Sequence, residues 1–238
     1  MKKILIIYLT IFSILISFVA CGNSYAQFET MPLADGESIR ITGYTGEGGR
    51  VRIPSRINNL QVTEIGERAF AGRGLTSVSI PNSVTVIGDE AFSDNQLTSV
   101  TIPNAVTRIG EWAFFGNRLT SVTIPNSVAY IEARSFSRNQ LTSVTIPDSV
   151  TRIGMFAFSH NQLPSVTIPE SVTLVLNGAF YHNHLTRITI GSNVSLFGPM
   201  SLLVSSPAFD ESFDAFYIQQ GFSAGTYIYI GLGFWSKE

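Results

Sequence analysis

The sequence predicts a solenoid, mainly β, made of parallel strands of stacked 22-residue coils, with short helical turns and a small C-terminal α/β cap. Three observations predict it. The dipeptide Ile-Pro falls at 53, 80, 102, 124, 146 and 168, one interval of 27 followed by four of 22, and Ile190 comes 22 residues later without its proline. Internal repetition at a fixed period of this length means that one supersecondary unit is stacked on copies of itself. Superposing the copies places Phe70, Phe92, Phe114, Phe136, Phe158 and Phe180 in one column, which accounts for much of the count of 17 phenylalanines in 238 residues. A second column holds Asn95, Asn117, Asn139, Asn161 and Asn183, where a short amide satisfies backbone groups that a turn leaves unpaired.

The chain opens with Lys2 and Lys3 ahead of an uncharged apolar run from Ile4 to Ala20, the pattern of a secretory leader. The run is about 17 residues long, the lower limit for crossing a bilayer, so cleavage is expected over retention as an anchor. The single cysteine, Cys21, follows Phe18-Val19-Ala20, which resembles a bacterial lipobox and implies lipidation of Cys21 as the mature N-terminus. Ser24-Tyr25-Ala26 offers a competing site for ordinary cleavage before Gln27, which would release a secreted form. The expected organisation is a signal peptide over 1–20, a linker over 21–36, the solenoid with an N-terminal cap hairpin over 37–195, and the C-terminal cap over 196–238.

Full copies start at Leu75, Leu97, Leu119, Leu141 and Leu163, with a degenerate copy from about Val51 and a truncated one at Leu185. Within a copy, Leu97, Val100 and Ile102 follow the L-x-x-L-x-L spacing of leucine-rich repeats, and their alternation reads as a strand with one buried face. Pro103 ends that strand because it cannot donate the next ladder bond. Val106 and Ile109 supply a second inward pair, Gly110 is expected to let the chain bend, and Ala113-Phe114 closes the coil. One coil cannot bury these residues alone, so stacking is obligatory.

The blocks Leu-Thr-Ser-Val-Thr-Ile-Pro and Ile-Gly-x-x-Ala-Phe resemble those of BspA-like, Treponema-type leucine-rich-repeat surface proteins, over about Ile39 to Ile190. Ile41 to Gly46 with Gly48-Gly49 is similar to the family's N-terminal cap, a hairpin leading into Val51 to Pro54. The resemblance implies adhesion to host matrix proteins or to other bacteria. At the other end, Asp210 to Gln220 carries Phe213, Phe216 and Tyr217 at helical spacing before Gly221, and Thr226 to Ile230 alternates as a strand. Nine of the thirty residues from Phe209 are aromatic, which suits a lid over the last coil better than a sticky surface, since a solenoid must cover its open end.

Composition narrows the function. With 15 Lys plus Arg against 17 Asp plus Glu, the chain has no polycationic surface for a phosphate backbone, so nucleic acid is not an expected partner. One cysteine permits neither a disulfide framework nor a thiolate zinc cage. His160 and His182 share a column but His184 does not, and no carboxylate joins them, so neither a metal nor another cofactor is expected. The Ser and Thr residues lack a histidine base, and Asp89-Glu90 has no partner carboxylate at glycosidase separation, so the protein is read as no enzyme.

Binding surfaces remain. The outward strand columns, Ser77 to Ser165 and Ser79 to Thr189, are expected to form hydroxyl ladders across the sheet. The columns that differ most between copies are the better candidates. Arg108, Tyr130 and Arg152 are expected in one cation–π row, and Trp112 and Phe156 flanking Arg134 in another. Arginine and large aromatics are interface anchors, so these six residues form the candidate binding surface. The expected ligand is a protein or glycan, with a host matrix protein implied by the family. An N-terminal lipid would attach the protein to the outer membrane or cell surface; a periplasmic scaffold without a host ligand is the competing reading.

Overall fold

A computed structural model describes residues 25–196, 224–231 and 234–238. The leader, Cys21 and the expected helix from Asp210 to Gln220 lie outside the described residues. In chain order the first strands are β1 (Phe28–Pro32), β2 (Ser38–Tyr44), β3 (Gly49–Arg52), β4 (Arg56–Ile57), β5 (Leu60–Ile65) and β6 (Leu75–Ser79). The central coils contribute β7 (Val86–Ile87), β8 (Arg108–Ile109), β9 (Ser121–Thr123), β10 (Tyr130–Ile131), β11 (Ser143–Thr145) and β12 (Arg152–Ile153). The last are β13 (Ser165–Ile168), β14 (Leu174–Val175), β15 (Arg187–Ile190), β16 (Ser195–Leu196), β17 (Gly225–Gly231) and β18 (Phe234–Lys237).

Each coil therefore runs along a front face, a back face and a turn. On the front, Val51 faces Val78, Val122 faces Val144, and Val166 faces Ile188, all in parallel register. On the back, Ile41, Ile65, Ile87 and Ile109 pair in one ladder, and Ile131, Ile153 and Val175 in a second. The alternation of inward aliphatic and outward polar residues makes these segments strands, and the 22-residue period makes the pairing between successive coils parallel.

Both sheets are interrupted. The front ladder is open between β11 and β13, where Pro164 stands in place of threonine. Thr142 N donates to Thr120 O at 3.1 Å, but Pro164 has no N–H to continue the series. A second front opening falls at the coil of Val100, which forms no strand, and Val100 and Val144 are half-buried whereas Val78, Val122 and Val166 are buried. The back ladder breaks between β8 and β10, where Glu132 replaces the glycine of neighbouring coils. At Gly88 and Gly154 an added Cβ would come within 2.8 Å and 2.7 Å of the preceding coil's backbone. Glycine is needed here for close approach, and the bend expected of Gly110 needs no left-handed backbone. Leu176 makes the same replacement yet keeps its bond to Ile153 O.

The expected short helical turns are absent among the described residues, and the Ala-Phe segment of each coil shows why. Phe92, Phe114 and Phe136 each donate their N–H to the next coil, at 2.8, 2.9 and 3.0 Å, and every copy places a left-handed residue in this turn. A left-handed residue cannot continue a right-handed helix. The coil-to-coil ladder instead stacks the phenylalanine rings at 5.2 to 5.6 Å, with planes within 14° of parallel. All six spine phenylalanines are fully buried. Alongside, each column asparagine is buried and bridges two coils. Asn139 accepts from Leu119 N at 3.0 Å and donates to Phe114 O at 2.9 Å and Phe136 O at 3.2 Å.

Antiparallel pairs close both ends. The N-terminal hairpin is β1 with β2, not the expected pairing around Gly46, because Thr45 to Gly48 carries the chain from the back face to the front. Phe28–Pro32, inside the segment expected as a linker, is thus a strand, and Phe28 and Tyr44 cover the first spine ring at 6.3 and 5.2 Å. At the other end β17 pairs antiparallel with β15, Tyr227 is fully buried opposite Ile188, and β18 adds an outer strand. The strand expected at Thr226 to Ile230 is there, acting as a lid.

Candidate binding surface

On the back face, Val86, Arg108, Tyr130, Arg152 and Leu174 occupy one column, one per coil. Arg108, Tyr130 and Arg152 are exposed, Tyr130 at 54%. They do not form the expected cation–π row. The break between β8 and β10 separates Arg108 from Tyr130, and Arg108 turns back to Asp89 of the preceding coil at 2.7 Å. That partner lies 19 residues away, one coil minus a turn, so no column comparison pairs them.

The turn column reads Arg68, Glu90, Trp112, Arg134, Phe156 and Gly178, with φ of 55°, 53°, 58°, 53°, 55° and 64°. Each coil demands a left-handed residue here, a conformation that costs a non-glycine residue roughly 1–2 kcal/mol. Glycine would be cheapest, and Gly178 takes it. Bulky side chains at such a position are outliers that direct attention to function. Arg68 and Glu90 pair at 2.6 Å. The next three stack: the Arg134 guanidinium lies 4.6 Å from the Trp112 ring centroid and 4.8 Å from that of Phe156. The Phe156 ring in turn fills the space where a Cβ on Gly178 would stand.

Side chains from the neighbouring column, which sequence comparison had not singled out, extend this stack. After each spine phenylalanine come Ala71, Ser93, Phe115, Ser137, Ser159 and Tyr181, so two aromatics break a run of small residues. Phe115 meets Trp112 edge-on at 4.5 Å, and Tyr181 meets Phe156 at 6.2 Å. Arg138 lies over Phe115 at 5.6 Å. His160 and His182 stack at 4.3 Å beside Tyr181. Burial, then the charges of His182 and Arg138, hold the His160 imidazole below its ordinary pKa. Among the described residues no three His, Cys, Asp or Glu side chains converge as metal ligands.

The front hydroxyl columns behave differently from expectation. The bonded hydroxyls sit elsewhere: Ser83, Ser127 and Ser149 donate to the preceding coil's carbonyl at 2.5 to 2.8 Å, and Thr85, Thr107, Thr151 and Thr173 do the same at 3.2 to 3.4 Å. On the front, Thr189 shares a bond with Thr226 of the lid at 3.2 Å, while Ser121, Ser143, Thr123 and Thr145 face solvent. A cleft of about 350 Å³ opens where β11 and β13 part, lined by Ser143, Val144, Thr145, Ser165 and Thr167.

A family model for the BspA-type leucine-rich repeat region matches residues 63–187 and 129–207 with six copies. A solved leucine-rich repeat protein of T. pallidum is 30% identical, with a TM-score of 0.62 over 72% of this chain and 83% of its own. A leucine-rich cell surface protein of Faecalibacterium prausnitzii is 29% identical, with a TM-score of 0.56 over 73% of this chain and 55% of its own. The pneumococcal vaccine antigen PcpA, 19% identical, shares the fold, with a TM-score of 0.53 over 75% of this chain and 50% of its own. The chain thus spans about half the length of these last two proteins. No curated protein matches.

Proposed function

The chain belongs to the BspA-type leucine-rich-repeat family, and on that premise we propose that it is an exported protein, anchored by lipid on Cys21, that binds macromolecules at the bacterial cell surface in the manner of an adhesin. The observation that carries the binding role is the Trp112–Arg134–Phe156 stack. Three large side chains occupy strained backbone on an accessible turn, while the core columns of the same coils repeat almost unchanged. Arg108, Tyr130 and Arg152 on the adjoining back face belong to the same surface, whose ligand is a protein or glycan.

Such contacts are weak singly. The stack spans two coil steps, about 10 Å, so its footprint falls well short of the about 800 Å² per partner of a stable interface. Membrane-anchored copies compensate, because each bound copy raises the effective concentration for the next. The test combines protease treatment of intact cells with binding of the mature protein, as monomer and on beads, to immobilised matrix proteins. Surface digestion, bead binding that exceeds monomer binding, and its loss when all six residues become alanine are expected. Digestion only after the outer membrane is opened would favour the periplasmic scaffold instead.

A further inference from the structure

A guanidinium presents its donors around the rim of a plane and has no acceptor. In this protein Arg40, Arg68, Arg108 and Arg187 each meet a carboxylate, at 2.5 to 3.0 Å. Arg134 meets none among the described residues. Its two faces are covered by Trp112 and Phe156, which fixes the plane and leaves the rim donors unused. Glu132, two residues earlier, and Glu111, beside Trp112, make no ion pair with it. An arginine held this way has surrendered its rotamer freedom before any partner arrives, so forming two parallel bonds to a planar oxyanion costs little further ordering.

The surroundings select the oxyanion's carrier. From Trp112 to Ile168 the chain carries Arg118, Arg134, Arg138 and Arg152 against Glu132 and Asp148, whereas Glu64 to Glu111 sets Glu64, Glu67, Asp89, Glu90, Asp94 and Glu111 against Arg68, Arg73 and Arg108. The stack therefore lies in a stretch of net positive charge that follows a segment of net negative charge. Its shoulders are apolar: Phe115 and Tyr181 contact the stack, and Met155 is 43% exposed beside Phe156. A polysulfated glycan needs an unbroken row of cations. Here Asp89 takes Arg108, and Glu132 stands in Arg134's own coil.

Resting on the turn face as the binding surface proposed above, we infer that the Trp112–Arg134–Phe156 stack is a carboxylate-recognition site, and that its partner is an acidic segment of another protein carrying apolar residues beside its Asp or Glu. Arg134 supplies the paired donors, and the aromatic shoulders take the neighbouring side chains.

The test titrates the mature protein, labelled with ¹⁵N at arginine and tryptophan side chains, with a capped peptide holding two glutamates between apolar residues. Its glutamine twin and a heparin fragment are the comparison probes. The expected result is a shift of the Arg134 Nε–H signal with the glutamate peptide, and an affinity about tenfold above that for the glutamine twin, the size of effect a charge-assisted bond gives. Arg134→Lys, which keeps the charge but loses the planar fork, should remove most of that advantage. Equal binding of the two peptides overturns the inference, as does a preference for heparin. A shift at Trp112 without one at Arg134 also overturns it while leaving the binding face intact. Silence of every signal with all three probes counts against the face as well.

Discussion

Replacing Asn139 with alanine tests how the coils are held together, because its cost can be worked bond by bond. The side chain is buried and accepts from Leu119 N, while donating to Phe114 O, Phe136 O and Ser137 O. In the variant, Phe114 O keeps Asn117, Phe136 O keeps Asn161, and Ser137 O keeps Gly116 N. The Leu119 N–H alone is orphaned. An orphaned buried donor costs about 1–3 kcal/mol and the lost bonds about 1 kcal/mol more, so about 3 kcal/mol is expected. Asn95 differs because the copy before it has Arg73 where later copies have asparagine. Its removal orphans Leu75 N and also Phe70 O, which has no second asparagine to fall back on, while Arg73, an exposed residue, loses the partner of its N–H. Asn95→Ala should therefore cost about 1 kcal/mol more than Asn139→Ala, chiefly for one further buried acceptor left unpaired. Urea unfolding followed by circular dichroism measures both, and amide exchange at Leu119 reports the orphaned donor directly. Equal losses in the two variants, or losses below about 1 kcal/mol in both, would refute the reasoning that assigns stability to these amides.

The remaining predictions are simpler. Phe136, fully buried with a ring on each side at 5.6 Å, should cost about 3–5 kcal/mol when truncated to alanine, read from the same urea curves. Ser135 takes the place of an alanine in its column and its buried hydroxyl has no partner, so Ser135→Ala should stabilise by about 1 kcal/mol. His160 holds its proton less tightly folded than unfolded, so its contribution is present above the ordinary imidazole pKa of 6.5 and is lost as pH falls through the lowered folded value. The urea midpoint should drop between pH 7 and pH 5, and drop less in His160→Gln. Mass spectrometry should find the mature N-terminus at an acylated Cys21; an unmodified start at Gln27 would remove the anchor.

The core was legible because one number, the 22-residue period, converts sequence distance into spatial adjacency. That conversion placed the phenylalanine spine and asparagine ladder in columns, and it brought Trp112, Arg134 and Phe156 together. It failed wherever contacts are not one whole coil apart. Arg108 finds Asp89 at 19 residues, a distance that depends on the path of the turn and not on the period. The Ala-Phe turns carry the small and aromatic residues of a helix, and only the left-handed backbone at positions such as Glu90 and Arg134 excludes one. Strand β1 was hidden because it buries Phe28 alone and leaves the next four residues exposed, so no alternation marks it. Pro164 was visible as a departure from threonine, yet its effect required knowing that the missing N–H belongs to a bond between coils.

The two antiparallel lids make the length of the molecule adjustable. Neither β1 with β2 at one end nor β17 with β18 at the other contributes to the contacts between internal coils. A tandem duplication of 22 residues within the full copies that start at Leu75 to Leu163 would bring its own phenylalanine and asparagine and find a matching neighbour on either side. Each such event would lengthen the stack by one strand spacing, about 4.8 Å, while both closures stayed as they are. The length of the stack and the number of exposed turns could then change by gene slippage, with no new fold to invent.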